Sequence, residues 1–147
     1  MKLSSIMYKI IDLIEGVYPN SDMHLFNLTE NFNRPSFLIF PILDETNKAN
    51  YSLNSRNLSI EILCFMPLED NNKVVYFEKL NLIDNLHSIF DSMNMQVEDR
   101  NLKYDFEIKE VDGETSIILD FEFKDDSKLI VENYETIKNV FLNIKEG

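Results

Sequence analysis

Cys64 is the only thiol in the chain, and His24 and His87 are its only imidazoles. A nucleophile and its base would have to come from these three. Cys64 falls on the apolar side of an alternating stretch. A thiol there reads as an inert core residue, because a nucleophile needs access and a partner that stabilises the thiolate. His87 lies at the edge of an apolar helical stripe, where a histidine usually bridges core and solvent through a hydrogen bond. His24 sits at a strand start. Neither histidine belongs to an HxH or HExxH pattern, so no metal site has local support.

Carboxylates occur in pairs at Asp44/Glu45, Glu69/Asp70 and Asp125/Asp126. All three pairs fall in expected turns, where solvation is the natural state. Glycosidase-type chemistry needs two carboxylates facing each other across a cleft, which sequence neighbours on a turn do not supply. The calcium-loop spacing of alternating acids around a central Gly is absent. Asp112-Gly113 reads as a type I′ hairpin turn, with Gly at the position needing positive φ. Gly16, Gly113 and Gly147 lie far apart, so no glycine-rich phosphate loop forms. The expectation is no enzyme, no metal and no cofactor.

The elements that must position these residues follow from hydropathy. Leu3, Ile6, Met7, Ile10, Leu13, Ile14 and Val17 recur at spacings of three and four, which predicts an amphipathic helix stopped by Gly16 and Pro19. A strand is expected over Met23–Leu28, followed by a turn from Thr29 to Asn33. Pro35 opens a stronger strand, Ser36–Leu43, apolar on both sides, with a bulge expected at Pro41. Asp44 to Ser55 is polar and too long for a tight hairpin, so it reads as a functional or mobile loop.

Arg56–Met66 is the clearest strand, with Leu58, Ile60, Ile62, Cys64 and Met66 facing one way. A second helix covers Val74–Ser92, burying Val75, Leu82, Ile83, Leu86, Ile89 and Phe90. Two alternating runs follow, Leu102–Ile108 and Ile117–Phe123, joined at Asp112-Gly113. Val131–Lys145 is expected to be helical, with Tyr134, Ile137, Val140, Phe141 and Ile144 on one side.

This order predicts an α+β fold: a two-layer sandwich with a mostly antiparallel sheet of about five strands. Two helices would pack on one face, with a C-terminal helix beyond. The division is a domain over 1–124 and a C-terminal extension over 125–147. With 147 residues, 44 % of them hydrophobic, and eleven Phe, six Tyr and no Trp, the chain can fill one core built on aromatic and aliphatic packing.

A net charge of −12 opposes general nucleic-acid binding and docking on an anionic membrane. It suits plain solubility, or a surface that nucleic acid passes without sticking. One cysteine excludes an internal disulfide. The first residues lack a signal-peptide core, and no stretch is apolar enough to span a bilayer. A cytoplasmic chain is expected, or one in a particle assembled in the cytoplasm.

Several strings in this order resemble the small tail-terminator family of phages and of phage-tail-like bacteriocins from Gram-positive bacteria. The resemblance runs from about Ile10 to Phe123. It begins with the helix ending in Gly16-Val17-Tyr18. Arg34-Pro35-Ser36-Phe37-Leu38-Ile39 looks like that family's Pro-x-Phe-Phe-Ile strand. Arg56-Asn57-Leu58-Ser59-Ile60-Glu61-Ile62 with Phe65-Met66-Pro67 resembles its aromatic-Pro strand end. The strongest match is Tyr104-Asp105-Phe106-Glu107-Ile108 into Val111-Asp112-Gly113, then Leu119-Asp120-Phe121-Glu122-Phe123. Ser36 stands where the family often has Cys, and Lys124 to Gly147 extends past many members.

The resemblance implies a hexameric ring on the head-proximal end of a tail tube. That ring would stop tube growth and offer a docking surface to a connector or collar, with no catalysis and with DNA only passing through its lumen. The implied partners are other copies of the chain, the tail tube protein, and sheath, connector or collar proteins, in a virion or tail-like particle. Interface candidates are Asp44, Glu45, Asn47, Lys48, Tyr51, Arg56, Tyr134 and Phe141, with Asp44 and Glu45 as lumen charges. Two rival readings stand beside it. One is another connector or tail-completion subunit. The other is a small acidic binding module of the immunity type.

Overall fold

The computed structural model describes residues 1–48, 50 and 53–126. The expected C-terminal helix and its Tyr134 and Phe141, together with Tyr51, lie outside the described residues.

Helix α1 spans Leu3–Glu15 and buries Ile6, Met7, Ile10 and Ile14. Those positions lie on one helical face, and burying each removes roughly 2 kcal/mol worth of apolar surface from water. Gly16 stays right-handed at φ −62. The chain turns away where the Val17 and Tyr18 amides both donate to the Ile14 carbonyl, just before Pro19. The Tyr18 ring then packs on Phe37 at 5.3 Å.

Strand β1, Asp22–Leu25, runs parallel to β2, Ser36–Lys48. β2 turns back into β3, Leu53–Phe65, and slips register between Pro41 and Leu43, where the missing amide of proline was expected to break the ladder. Helix α2, Tyr76–Phe90, buries Leu82, Leu86 and Phe90. It leads through Met93 into β4, Asn94–Val97. β5, Arg100–Val111, and β6, Glu114–Asp126, meet at Asp112 and Gly113, both at positive φ as a type I′ turn requires.

The sheet order is β1-β2-β3-β6-β5-β4. Paired residues share a face, so Phe37, Ile39, Ile60, Ile62, Leu119 and Phe121 all point to one side. There they form a single buried cluster with Ile6 and Ile10 of α1 and with Leu82, Leu86 and Phe90 of α2. The fold is α+β as expected, with corrections.

The sheet has six strands, is mixed and curls, so two flat layers describe it only approximately. The extra strand is β4. Its Met95 and Val97 are buried opposite Leu102 and Arg100, but four residues after a helix end carry too few alternations to stand out. The expected loop over Asp44–Ser55 is largely strand: Asp44 pairs with Leu58, and the ladder continues to Lys48 opposite Asn54. Both sides of β2 are exposed there, so no apolar alternation marks a strand held by its backbone ladder.

Candidate functional site

The chemically capable residues do not converge. Cys64 is enclosed on the inner face, and burial pushes its thiol pKa far up, which keeps it protonated and unreactive. His24 pairs in register with Leu38, on the opposite side of the sheet. Its ring lies edge-on to Phe32, and its Nε2 is enclosed without a hydrogen-bond partner among the described residues. His87 stands on the exposed side of α2, with Nδ1 at 2.9 Å from Asp91 Oδ1 and its ring against Phe106. The described residues contain no His, Cys, Asp and Glu group able to hold a metal ion. No helix among them is long and apolar enough to cross a membrane.

Two carboxylate pairs placed in turns by sequence lie in strands instead. Asp44 and Glu45 belong to β2, and Asp125 and Asp126 to β6. Only Glu69 and Asp70 occupy a turn, where the Glu69 amide donates to the Lys73 carbonyl. Asp44 Oδ1 and Oδ2 each accept from Arg56 at 3.0 Å. Asp125 accepts from the Met1 amine at 2.9 Å and from Arg100 at 2.7 Å, with Arg56 at 3.9 Å. Arg56 and Arg100 also lie over the Phe123 ring. Charge therefore closes the core at this end of the sheet, where a cation over an aromatic face and a paired carboxylate hold each other.

The structure thus brings Asp44 and Arg56 together. Glu45, Asn47 and Lys48 stay exposed farther out along the β2–β3 arm.

At the other end, Arg34 donates to both carboxylate oxygens of Glu114 (2.8 and 3.2 Å) and to the Met66 carbonyl (2.8 Å). Its guanidinium also lies over Phe32 and Phe65. This clamp ties the 26–35 loop to the sheet. Nothing in the local sequence marks Arg34 for that role, because its partners lie 32 and 80 positions away.

Exposed apolar side chains group at one place on the helices. At the start of α2, Tyr76 is 71 % and Phe77 67 % exposed, beside Leu80 and Leu68. They adjoin an open cavity of about 400 Å³ lined by Leu68, Val74, Tyr76, Lys79, Glu110 and Glu114. Exposed aromatics grouped this way mark protein contacts in soluble chains. The helical spacing in the sequence pointed to Leu82, Leu86 and Phe90 and left Phe77 and Leu80 unexplained.

A family model described as phage tail terminator protein matches residues 5–136. This chain belongs to that family. No curated protein matches the chain. Membership makes it a structural protein of phage tails and supports interaction with other tail proteins.

Proposed function

We propose that the chain forms a hexameric ring on the head-proximal end of a tail tube. The ring stops tube polymerisation and presents a docking surface to a connector or collar. The family match over residues 5–136 carries this reading. It also removes the ground for the immunity-type alternative, which rested on charge alone.

A ring subunit needs two different surfaces that complement each other, because head-to-tail contacts close a ring and self-complementary ones give only dimers. The chain offers such a pair: the polar arm carrying Asp44, Glu45, Asn47, Lys48 and Arg56, and the apolar start of α2 with Tyr76, Phe77 and Leu80. In this proposal the start of α2 is covered by the neighbouring subunit, and the arm reaches toward the tube.

Asp44 is already compensated by Arg56, so it is a weak source of lumen potential. The outer sheet face has Asp105 directly opposite Asp120, with Glu107 and Glu122 two positions along. Turned toward the lumen, that face would repel phosphate and let DNA slide. Assembly would take place in the bacterial cytoplasm, in a phage or a headless tail-like particle of contractile type. β6 carries the sheet through Asp126, so the extension proper begins after it, and in this proposal it meets sheath or collar.

Electron microscopy of tails assembled with and without this protein tests the reading. Overlong tubes of irregular length are expected in its absence. Tubes of normal length that lack only the head would instead identify a connector or completion subunit.

A further inference from the structure

Two long strands of the sheet keep an open edge. β1 covers β2 only over Ser36–Ile39, and that ladder ends where the Phe26 amide donates to the Ile39 carbonyl at 3.0 Å. From Phe40 to Lys48, β2 has β3 on one side and no strand on the other among the described residues. β4 covers β5 only over Arg100–Lys103, followed by the Tyr104 amide on the Met93 carbonyl. From Asp105 to Val111, β5 pairs with β6 alone among the described residues. Open strand edges are templates for a further strand.

These edges lie on opposite sides of the sheet, because the order between them is β2-β3-β6-β5. Each neighbouring pair in that series is antiparallel, so β2 and β5 run in opposite directions. A second copy in the same orientation therefore lays its β5 antiparallel to β2 and continues the sheet. Pairing two unlike edges repeats head to tail and can close a ring, whereas β2 against β2 stops at a dimer. We infer that Leu43–Lys48 of one copy pairs with Phe106–Val111 of the next, and that this ladder joins the subunits. The inference rests on the proposed ring and names the contact that builds it.

Side-chain direction and charge select the register. Asp44, Thr46 and Lys48 share the helix side of the sheet with Leu58 and Arg56, while Leu43, Glu45 and Asn47 face away. On β5, Phe106, Ile108 and Glu110 face the helices, and Glu107, Lys109 and Val111 face away. Matching faces leaves only registers two residues apart. One of them sets Glu45 opposite Lys109 and Leu43 opposite Val111. A step one way sets Glu45 against Glu107, where like charges oppose pairing. A step the other way moves Glu45 off Lys109 and runs Leu43 past the strand onto Gly113. In the favoured register Asp44 stands opposite Glu110. Each is already compensated in its own chain, by Arg56 and by Lys79.

The same register joins exposed apolar groups. Beyond Leu43 and Val111, Ile42 of one copy comes to the Asp112-Gly113 turn of the next. That turn lines the open cavity at the start of α2, together with Leu68, Val74 and Tyr76. Ile42 is 47 % and Phe26 53 % exposed, both on the open side of β2. Phe26 is held there at φ 70, a left-handed conformation that a bulky residue keeps only where the surrounding fold enforces it. The ladder therefore brings Ile42 and Phe26 of one copy to the apolar start of α2 on its neighbour.

The test uses purified tails that carry the full chain with Glu45→Cys and Lys109→Cys. Both positions are exposed, and Cys64 is buried and unreactive. Residues directly opposite in an antiparallel pair stand about 4.5–5.5 Å apart, within disulfide reach. Mild oxidation should give a ladder of cross-linked chains. The pair Glu45→Cys and Asp105→Cys, about 13 Å out of register, should stay reduced. Cross-linking by Glu45→Cys alone would reveal a two-fold contact and overturn the inference. Tails that hold the chain without cross-linking the first pair would also overturn it and leave the tube-capping reading standing. Tails that hold none of the parent chain would remove both.

Hydrogen exchange on the parent chain needs no new thiol. Amides of Leu43–Lys48 and Asp105–Val111 that point to the open edges should exchange roughly tenfold slower in tails than in the dilute monomeric chain. Equal rates in the two states would contradict the pairing.

Discussion

The β2–β3 hairpin is one ladder with two kinds of support. In its inner half, Phe37, Ile39, Ile60, Ile62 and Cys64 are buried under the two helices. In its outer half, Asp44 to Lys48 on β2 are exposed, and β3 is only partly covered. The inner half is held by burial of apolar surface, roughly 2 kcal/mol per large side chain. The outer half is held by backbone pairing, to β2 on one side of β3 and to β6 on the other, and by the Arg56 cluster. The same pair of strands thus makes core at one end and, with β6 still paired to β3 as far as Leu53, an open β2 edge at the other, which suits a subunit that must fold alone and then meet a partner.

Perturbing each half should separate these contributions. The largest effect is expected from Ile62→Ala, which opens a void under both helices and should cost about 2–5 kcal/mol in chemical denaturation. A loss below about 1 kcal/mol would mean the inner half is not the supporting one. Arg56→Ala comes next. It removes the partner of Asp44, a donor to the Met1 carbonyl and a cation over Phe123, and should cost about 1–3 kcal/mol. Its loss should fall on the arm first, as faster amide exchange over Leu53–Leu58 than over Ile60–Cys64.

Alkaline pH sharpens the same contrast. Burial raises the Cys64 thiol in the inner half, and it also raises the Tyr18 and Tyr104 phenols. Above about pH 9 the unfolded chain releases the Cys64 proton while the folded chain keeps it, so stability falls as pH rises. The denaturation midpoint should drop between pH 8 and 10, and Cys64→Ala should flatten the first part of that decline. The smallest effect is expected from Asp44→Asn. Asp44 is partly solvated, so the loss should stay under about 1 kcal/mol while ring assembly, if the arm takes part in it, weakens.

The inner half was legible in the sequence for the reason it is stable. Ile60, Ile62 and Cys64 alternate because one face is buried, and Asp112-Gly113 likewise marks the β5–β6 turn because few residue pairs tolerate two positive φ angles. The outer half was misread as a loop because pairing there needs no particular side chain. β4 was missed because Met95 and Val97 are its only inward residues. Among site residues, Asp44 and Arg56 were singled out individually, but their pairing depends on a hairpin register that sequence does not supply. The Arg34 clamp and the exposed Phe77 had no sequence signal, since one depends on distant partners and the other on what is absent around it.

Locating the chain in a purified tail tests the central claim most directly. A cryo-electron microscopy map should show this six-stranded fold repeated around the axis at the head-proximal end of the tube, with the start of α2 buried between neighbours. Density at the tube end that cannot accommodate the fold, or tails that contain none of this chain, would contradict it.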